Sequence, residues 1–106
     1  MFLRKAYKHS ETKRQSLSQL SDEELIALLN DQTYNEIINE IFNRYSYILY
    51  GLCYKYLKNT EESKDAVQSI FEKIFTDLGN HSVRNLKSWL FVVAKNYCLM
   101  QIRKKQ

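Results

Sequence analysis

The sequence predicts an all-α protein, a compact bundle of about four helices that follows a flexible basic arm. The 106 residues include no proline and only two glycines, whereas leucine, isoleucine, lysine and glutamate are plentiful. This composition favours helices and lacks the turn residues that a β-sandwich would need. A chain of this length suits one small domain with a modest hydrophobic core.

The first part of the chain divides into an arm and the start of a helical domain. Residues 1–19 mix basic and polar side chains without a sustained apolar period, so we expect a flexible basic arm there and a folded domain at 20–106. Ser21 and Glu24 form the pattern of a capping box, in which each side chain accepts from the other residue's backbone amide. The pattern predicts a short first helix that runs to about Asn30.

Thr33 and Glu36 repeat the capping-box pattern and predict the start of a long second helix. Its apolar positions include Ile37, Ile38, Ile41, Phe42, Tyr45, Ile48, Leu49, Leu52 and Tyr56. Because they surround much of the helix, it should be the central one, and Gly51 is expected to mark a close approach of another helix. Six tyrosines lie on or beside this helix, and we interpret most of them as core rings rather than a base-stacking array.

A third helix is predicted after Asn59 or Thr60, either of which can cap its first turn. Its apolar set is Ala66, Val67, Ile70, Phe71, Ile74, Phe75 and Leu78. The opposite arc carries Asp65, Gln68, Ser69, Glu72 and Thr76, which form a polar strip of net negative charge. Such a strip is either a solvated face or a binding surface.

The last helix is predicted to begin after Asn85, a suitable N-cap, and to lie in a strongly basic segment. Residues 80–106 carry six basic side chains and no acidic one. On a helical wheel one apolar arc forms around Leu86, and it is expected to face the core. The arc comprises Leu86, Trp89, Leu90, Val93, Tyr97 and Met100. The opposite side is either a solvated basic face or a surface for an anionic partner.

Several classes of function are disfavoured by the sequence. His9 and His81 stand alone, without the spacing of metal ligands or of a catalytic triad, and there is no glycine-rich phosphate loop. We therefore expect no enzyme, no metal and no cofactor. Cys53 and Cys98 lie in apolar helical patterns and are interpreted as reduced core thiols. The sequence has no apolar run of about 18 residues and no signal-peptide core, so the expected location is the cytoplasm, away from the membrane.

The net charge of +4 conceals an uneven distribution along the chain. The balance is +4 for residues 1–20, −3 for 21–58, −3 for 59–79 and +6 for 80–106. Surfaces of opposite sign suit an adaptor that binds a protein with one face and nucleic acid with another. The alternative is a helical protein-interaction module with a basic docking face and no role at DNA.

Three motifs, in this order and separation, resemble region 2 of bacterial extracytoplasmic-function sigma factors. They are ESKDAVQSIF at 62–71, SWLFVVAKN at 88–96 and the basic IRKK at 102–105. The resemblance covers about residues 20–106. It implies a helical domain that binds the β′ clamp helices of core RNA polymerase and captures the melted minus-ten element of a promoter. It also raises an anti-sigma factor as a further partner.

The resemblance assigns roles to particular residues. Asp65, Gln68 and Ser69 would face the polymerase, and Glu72 joins them because it shares their polar arc. The 79–85 loop and the last helix would face the non-template strand of the promoter. The residues assigned to that DNA surface are Asn80, His81, Ser82, Arg84, Lys87, Lys95, Asn96 and Arg103. Trp89 matches the family's tryptophan at the start of the DNA-facing helix.

The sequence also departs from the family pattern. Ser69 and Val92 stand where many members carry an acidic and a basic residue respectively, and the loop before Trp89 is short. Base selection is therefore expected to differ from that of other members. The family's second domain, a helix-turn-helix, is not in this sequence, and we expect a fragment of a longer protein rather than a reduced one.

Overall fold

The computed structural model describes residues 17–80 and 83–106, and within them it shows helices and no strand. The helices are α1 (Asp22–Ala27), α2 (Tyr34–Leu57), α3 (Thr60–Asp77) and α4 (Leu86–Lys105), with a 3-10 turn at Leu78–Asn80. The predicted all-α bundle of about four helices is therefore confirmed. The arm predicted for residues 1–19 lies, except for its last three residues, outside the described part of the chain.

The capping box of α1 forms as the sequence predicts. The Ser21 hydroxyl accepts from the Glu24 amide at 3.1 Å, and the Glu24 carboxylate accepts from the Ser21 amide at 2.8 Å. The helix nevertheless ends at Ala27 rather than at about Asn30. The Asn30 side chain accepts from the amides of Gln32 and Thr33, at 2.7 and 3.0 Å, and these local bonds favour a turn over another helical turn.

The second capping box, predicted at Thr33, does not form. The Thr33 hydroxyl makes no capping hydrogen bond to α2. It donates instead to the Leu28 carbonyl at 2.7 Å and accepts from the Asn30 amide at 3.0 Å. The hydroxyl therefore closes the turn between α1 and α2, because its backbone is already near-helical and points the side chain back along the chain.

Helix α2 is the central helix and packs against both α3 and α4. Its buried apolar residues are Ile37, Ile38, Ile41, Tyr45, Leu49 and Cys53. The chain then turns sharply at Lys58, whose backbone is left-handed with φ 55°, and Asn59 caps α3 by accepting from the Glu62 amide at 2.8 Å. Gly51 is not a point of close helix approach, since a methyl group added there would meet no atom within 4 Å.

Arg44 of α2 holds the start of the domain in place. Its guanidinium donates to the Glu40 and Asp22 carboxylates, at 2.8 and 2.9 Å, and to the carbonyls of Leu17 and Leu20, at 2.8 and 2.6 Å. Glu40 is buried, so the guanidinium supplies the charge that its carboxylate needs.

Tyr45, the next residue of α2, binds the same segment from a buried position. Its hydroxyl donates to the Asp22 carboxylate. Burial and that hydrogen bond raise the pKa of Tyr45 to about 12. The chain from Leu17 to α1 is thereby fixed on α2.

Helix α4 faces the core with an arc that is shifted from the expected one, although Leu86, Leu90, Val93 and Tyr97 of the expected arc are buried or packed against the core. Its buried residues are Leu86, Leu90, Ala94 and Cys98, four apart along the helix. Trp89 packs at the edge of the core and is only partly buried, and Met100 is 50% exposed. Ala94 and Cys98 are small, and small side chains allow the helices to pack closely. The helical wheel had instead placed bulkier residues at the centre of the buried arc.

The two cysteines are free and fully buried, as the sequence predicts. Cys53 of α2 and Cys98 of α4 interact across the helix interface. Burial raises the pKa of both thiols, to about 12 for Cys53, where the neighbouring Cys98 adds to the effect. Both sulfur atoms therefore behave as neutral core groups.

Candidate functional site

The polar strip predicted on α3 is brought together on the surface. Asp65, Gln68 and Glu72 are exposed and Ser69 is partly buried, and we refer to these four residues as the α3 strip. They occupy two successive turns, about 10 Å along the axis. The opposite side of α3 is anchored in the core through Ala66, Val67, Ile70, Phe71 and Ile74. The strip is thus presented by a rigid helix.

An apolar groove between α2 and α3 borders this strip, and sequence reasoning missed it. Ile38, Phe42, Phe71 and Phe75 contribute apolar side chains to the groove, while Gln68 and Glu72 of the strip also line it. Phe42 is 42% exposed and Phe75 46% exposed, although both belong to the apolar sets of their helices. Helix α2 carries more apolar residues than the neighbouring helices cover. That excess is visible in the sequence and could have predicted an exposed apolar groove.

Part of the predicted DNA surface is brought together on the outer side of α4. Lys95, Asn96 and Arg103 are exposed and point away from the buried arc, and we refer to these three as the α4 face. The Lys95 and Arg103 positions are about 12 Å apart along the axis. Val92, also exposed, lies beside them. The face therefore combines separated positive charges with an apolar surface.

Lys87 does not join the α4 face. It lies on the other side of Lys95 from Arg103, about 160° around the helix from Arg103, and its ammonium lies 5.8 Å from the centre of the Phe91 ring. Lys105, at the other end of the helix, forms an ion pair with Glu62 of α3. The basic residues of α4 are thus divided among several directions rather than gathered in one.

The predicted reading loop is described only in part. Arg84 is exposed. Asn80 ends the 3-10 turn, and His81 and Ser82 lie outside the described residues. Asn85 caps α4, with its side chain accepting from the Ser88 amide at 3.0 Å, so that acceptor is engaged in holding the helix. Arg84 and Asn85 lead into the N-terminal end of α4, where Trp89 packs at the edge of the core.

Within residues 17–80 and 83–106, no cluster of three or more histidine, cysteine or acidic side chains could hold a metal ion. None of the helices in that part of the chain could span a lipid bilayer.

A helical domain with an acidic strip on one helix and a cationic face on the next defines a class of protein that can join a protein partner to nucleic acid. Comparison with known families identifies the class more closely. Residues 41–106 match Sigma-70 region 2, and the chain belongs to that family. Region 2 in general binds core RNA polymerase and the minus-ten element, and it is not enzymatic. The predicted family and the absence of an enzymatic role are confirmed.

A curated relative supports the family assignment. The protein "ECF RNA polymerase sigma factor SigW" of Bacillus subtilis (strain 168) is 31% identical over 68 residues. The match covers 63% of this chain and 36% of the relative, so the chain spans little more than a third of that protein's length. No solved structure matches the chain.

Proposed function

We propose that this domain binds the β′ clamp helices of core RNA polymerase through the α3 strip and holds the melted non-template strand of the minus-ten element on the α4 face and the 79–85 loop. The observation that carries the proposal is the pair of surfaces of opposite sign on neighbouring helices of one small core. Each surface can then be engaged without disturbing the other.

The exposure and charge of the α3 strip support the polymerase contact. Asp65 and Glu72 are exposed carboxylates separated by two helical turns, with Gln68 between them. A helical partner can meet such a strip along its length, with basic side chains opposite the two carboxylates. The neighbouring groove, with its half-exposed Phe42 and Phe75, would accept an apolar side chain from the same partner.

The α4 face supports a contact with a single strand rather than with a duplex groove. Lys95 and Arg103 are spaced to neutralise separate phosphates, and no acidic residue lies anywhere in 80–106 to oppose them. The apolar Val92 beside them offers a surface for an unstacked base. Phosphate contacts of this kind give affinity but no sequence preference. We assign that preference to the 79–85 loop, where Asn80, His81 and Ser82 offer donors and acceptors for a base edge.

The DNA part is tested by fluorescence anisotropy with short single-stranded oligonucleotides at low salt. Lys95→Ala with Arg103→Ala should weaken binding to every sequence. It should also reduce the slope of log affinity against log salt by about 0.7 for each phosphate that is no longer neutralised. The matched control is Lys64→Ala with Lys73→Ala, which removes the same charge from exposed positions of α3. Equal losses of affinity in both variants would show that only net charge matters and would contradict the proposal.

The division between a holding helix and a reading loop requires a second set of variants. Asn80→Ala and His81→Ala should change the order of preference among oligonucleotides while leaving the salt slope nearly constant, because they remove no cation that faces a phosphate. An unchanged order of preference would remove the reading role from the loop. A wild-type domain that binds no oligonucleotide at low salt would favour the alternative, a protein-interaction module without a DNA role.

A further inference from the structure

The outward side of α2 carries tyrosines that neither proposed contact uses. Tyr47 is 88% exposed and Tyr54 is 45% exposed, whereas the other four tyrosines on or beside α2 are buried or packed against the core, as expected for most of them. Tyr50 is partly buried, and its ring stacks on that of Tyr54 with centroids 6.3 Å apart and planes 27° from parallel. The stacked pair holds the Tyr54 ring in a defined orientation.

The spacing of these residues leaves an open slot between two rings. Tyr47, Gly51 and Tyr54 follow one another at intervals of four and three residues, so they share one side of the helix. Tyr47 and Tyr54 are about 10 Å apart along the axis, roughly three steps of a nucleic-acid strand at 3.4 Å each. Gly51 lies between them with no atom within 4 Å of an added methyl group. We refer to Tyr47, Tyr50, Gly51 and Tyr54 as the tyrosine face.

The segment of α2 that carries the tyrosine face has a net positive charge. Residues 41–60 include no acidic side chain. Lys55 and Lys58 are exposed at the C-terminal end of α2. Because α3 begins directly after α2 ends, and Lys105 of α4 pairs with Glu62 in the first turn of α3, the last turns of α2 and α4 meet at one end of the bundle. Arg103 and Lys104 therefore add to the cationic character of that end.

Accessible rings separated by an open slot, on a helix whose last turns carry lysines and no carboxylate, match the arrangement of proteins that bind single-stranded nucleic acid without reading its sequence. Each ring offers a flat surface on which any base can stack, and the lysines attract the phosphates. We propose that the tyrosine face is a second contact for single-stranded nucleic acid, with bases stacked against Tyr47 and Tyr54 and phosphates near Lys55 and Lys58. The proposal does not rest on the DNA surface assigned to α4.

The test measures anisotropy of labelled oligothymidine and of an abasic oligonucleotide of equal length, using the whole chain. Tyr47→Ala with Tyr54→Ala should weaken oligothymidine binding on the order of tenfold or more, since each ring that is removed deprives one base of its stacking partner. The preference for oligothymidine over the abasic strand should fall with it, while the salt slope stays constant. Tyr47→Phe with Tyr54→Phe keeps both rings and should bind within about twofold of wild type.

A further variant fills the slot without removing a ring. Gly51→Leu should lower oligothymidine affinity even though leucine favours the helix and the position has room for a side chain. Melting curves should show all these variants folded, because the substituted positions are at least partly exposed. Wild-type affinity in the folded Tyr47→Ala/Tyr54→Ala protein would overturn the proposal. So would concentration-dependent dimerisation of the wild type that this double variant abolishes, since a second copy would then cover the face.

The two nucleic-acid proposals fail in different ways. Weaker binding in the tyrosine variant but not in Lys95→Ala/Arg103→Ala would support the tyrosine face and contradict the α4 surface. The reverse result would support the α4 surface and overturn the tyrosine face.

Discussion

Helices α3 and α4 pack against the same central helix, yet they divide their buried and exposed surfaces differently. In α3 the apolar side chains lie on the buried side except for Phe75, and the rest of the exposed side is polar with a net negative charge. In α4 the closest packing uses small residues, Ala94 and Cys98, while larger apolar residues such as Val92 and Met100 remain exposed among basic ones. The difference suggests that α3 presents a purely polar strip, whereas α4 presents charge and apolar surface together, as binding to unpaired bases requires.

The largest expected effect is the loss of folding stability when a buried apolar residue of either helix, rather than an exposed one, is changed to alanine. Leu90→Ala in α4 and Ile70→Ala in α3 should each destabilise the fold by about 2–5 kcal/mol, because both side chains are fully buried. Met100→Ala and Phe75→Ala should cost clearly less, about 1 kcal/mol, since half of each side chain is already in water. Urea unfolding of the four variants measures this. Equal losses of stability for Leu90→Ala and Met100→Ala would place Met100 on the buried side of α4, as the arc drawn around Leu86 predicts.

The thiols provide a second comparison, because α4 buries a cysteine against α2 and α3 has none. The raised pKa of Cys53, about 12, favours the neutral thiol in the fold. Its contribution to stability is therefore complete below the ordinary value of 9 and declines as the pH rises from 9 toward 12.

Alkylation rates test the burial of these thiols. At pH 8 Cys53 should react at least about a hundredfold more slowly in the native protein than in urea, because each unit by which its pKa rises toward 12 removes a factor of ten in thiolate. Cys98, whose pKa is also raised by burial, should likewise react more slowly in the native protein than in urea. A native rate close to the denatured one would place a thiol at the surface.

The helix caps offer a matched pair with a smaller effect. Asn59 and Asn85 cap α3 and α4 in the same way, so each change to alanine should cost about 1 kcal/mol. The first turns differ, since α3 has Glu61 and Glu62 there and α4 has no acidic residue. Asn85→Asp should therefore stabilise the domain by about 0.5 kcal/mol at low salt, and Asn59→Asp should gain less. Thermal unfolding at two salt concentrations distinguishes the two caps.

The smallest effect concerns the ion pair between the two helices, Glu62 with Lys105. Both side chains are substantially exposed, so the coupling energy from a double-mutant cycle with Glu62→Gln and Lys105→Met should be about 0.5 kcal/mol and should decline with added salt. A coupling well above 1 kcal/mol would indicate that this ion pair fixes the ends of α3 and α4 relative to each other. It would also make the two surfaces less independent than we infer.

The contrast between the helices also explains how much the sequence could predict. The helix count, the caps Ser21, Asn59 and Asn85, and the buried side of α3 followed from local rules, since capping and segregated periodicity are read from neighbouring residues. The buried arc of α4 did not, because its apolar residues surround the helix and only packing against the other helices decides which of them are buried. The hydrogen-bond partners of the Thr33 hydroxyl likewise could not be predicted from the capping-box pattern, because they belong to the turn between α1 and α2.

The surfaces differ in the same way. The α3 strip and the α4 face were predictable as sets, because charge and helical spacing place their members together. The sequence could not show, however, which basic side chains of α4 would remain available to DNA. Lys87 lies over the Phe91 ring, and Lys105 forms an ion pair with Glu62. The apolar groove and the tyrosine face were missed because exposure of Phe42, Phe75, Tyr47 and Tyr54 depends on which sides of α2 the other helices leave uncovered.

The most direct test of the central claim measures two affinities on two folded variants. Asp65→Lys with Gln68→Ala alters the α3 strip, and Lys95→Ala with Arg103→Ala alters the α4 face. The first should weaken binding to bacterial core RNA polymerase while affinity for a single-stranded minus-ten oligonucleotide is retained or raised, and the second should weaken oligonucleotide binding while polymerase affinity is retained. A folded α3 variant with wild-type polymerase affinity, or two variants that lose both affinities to the same degree, would contradict the separation of a polymerase surface from a DNA surface.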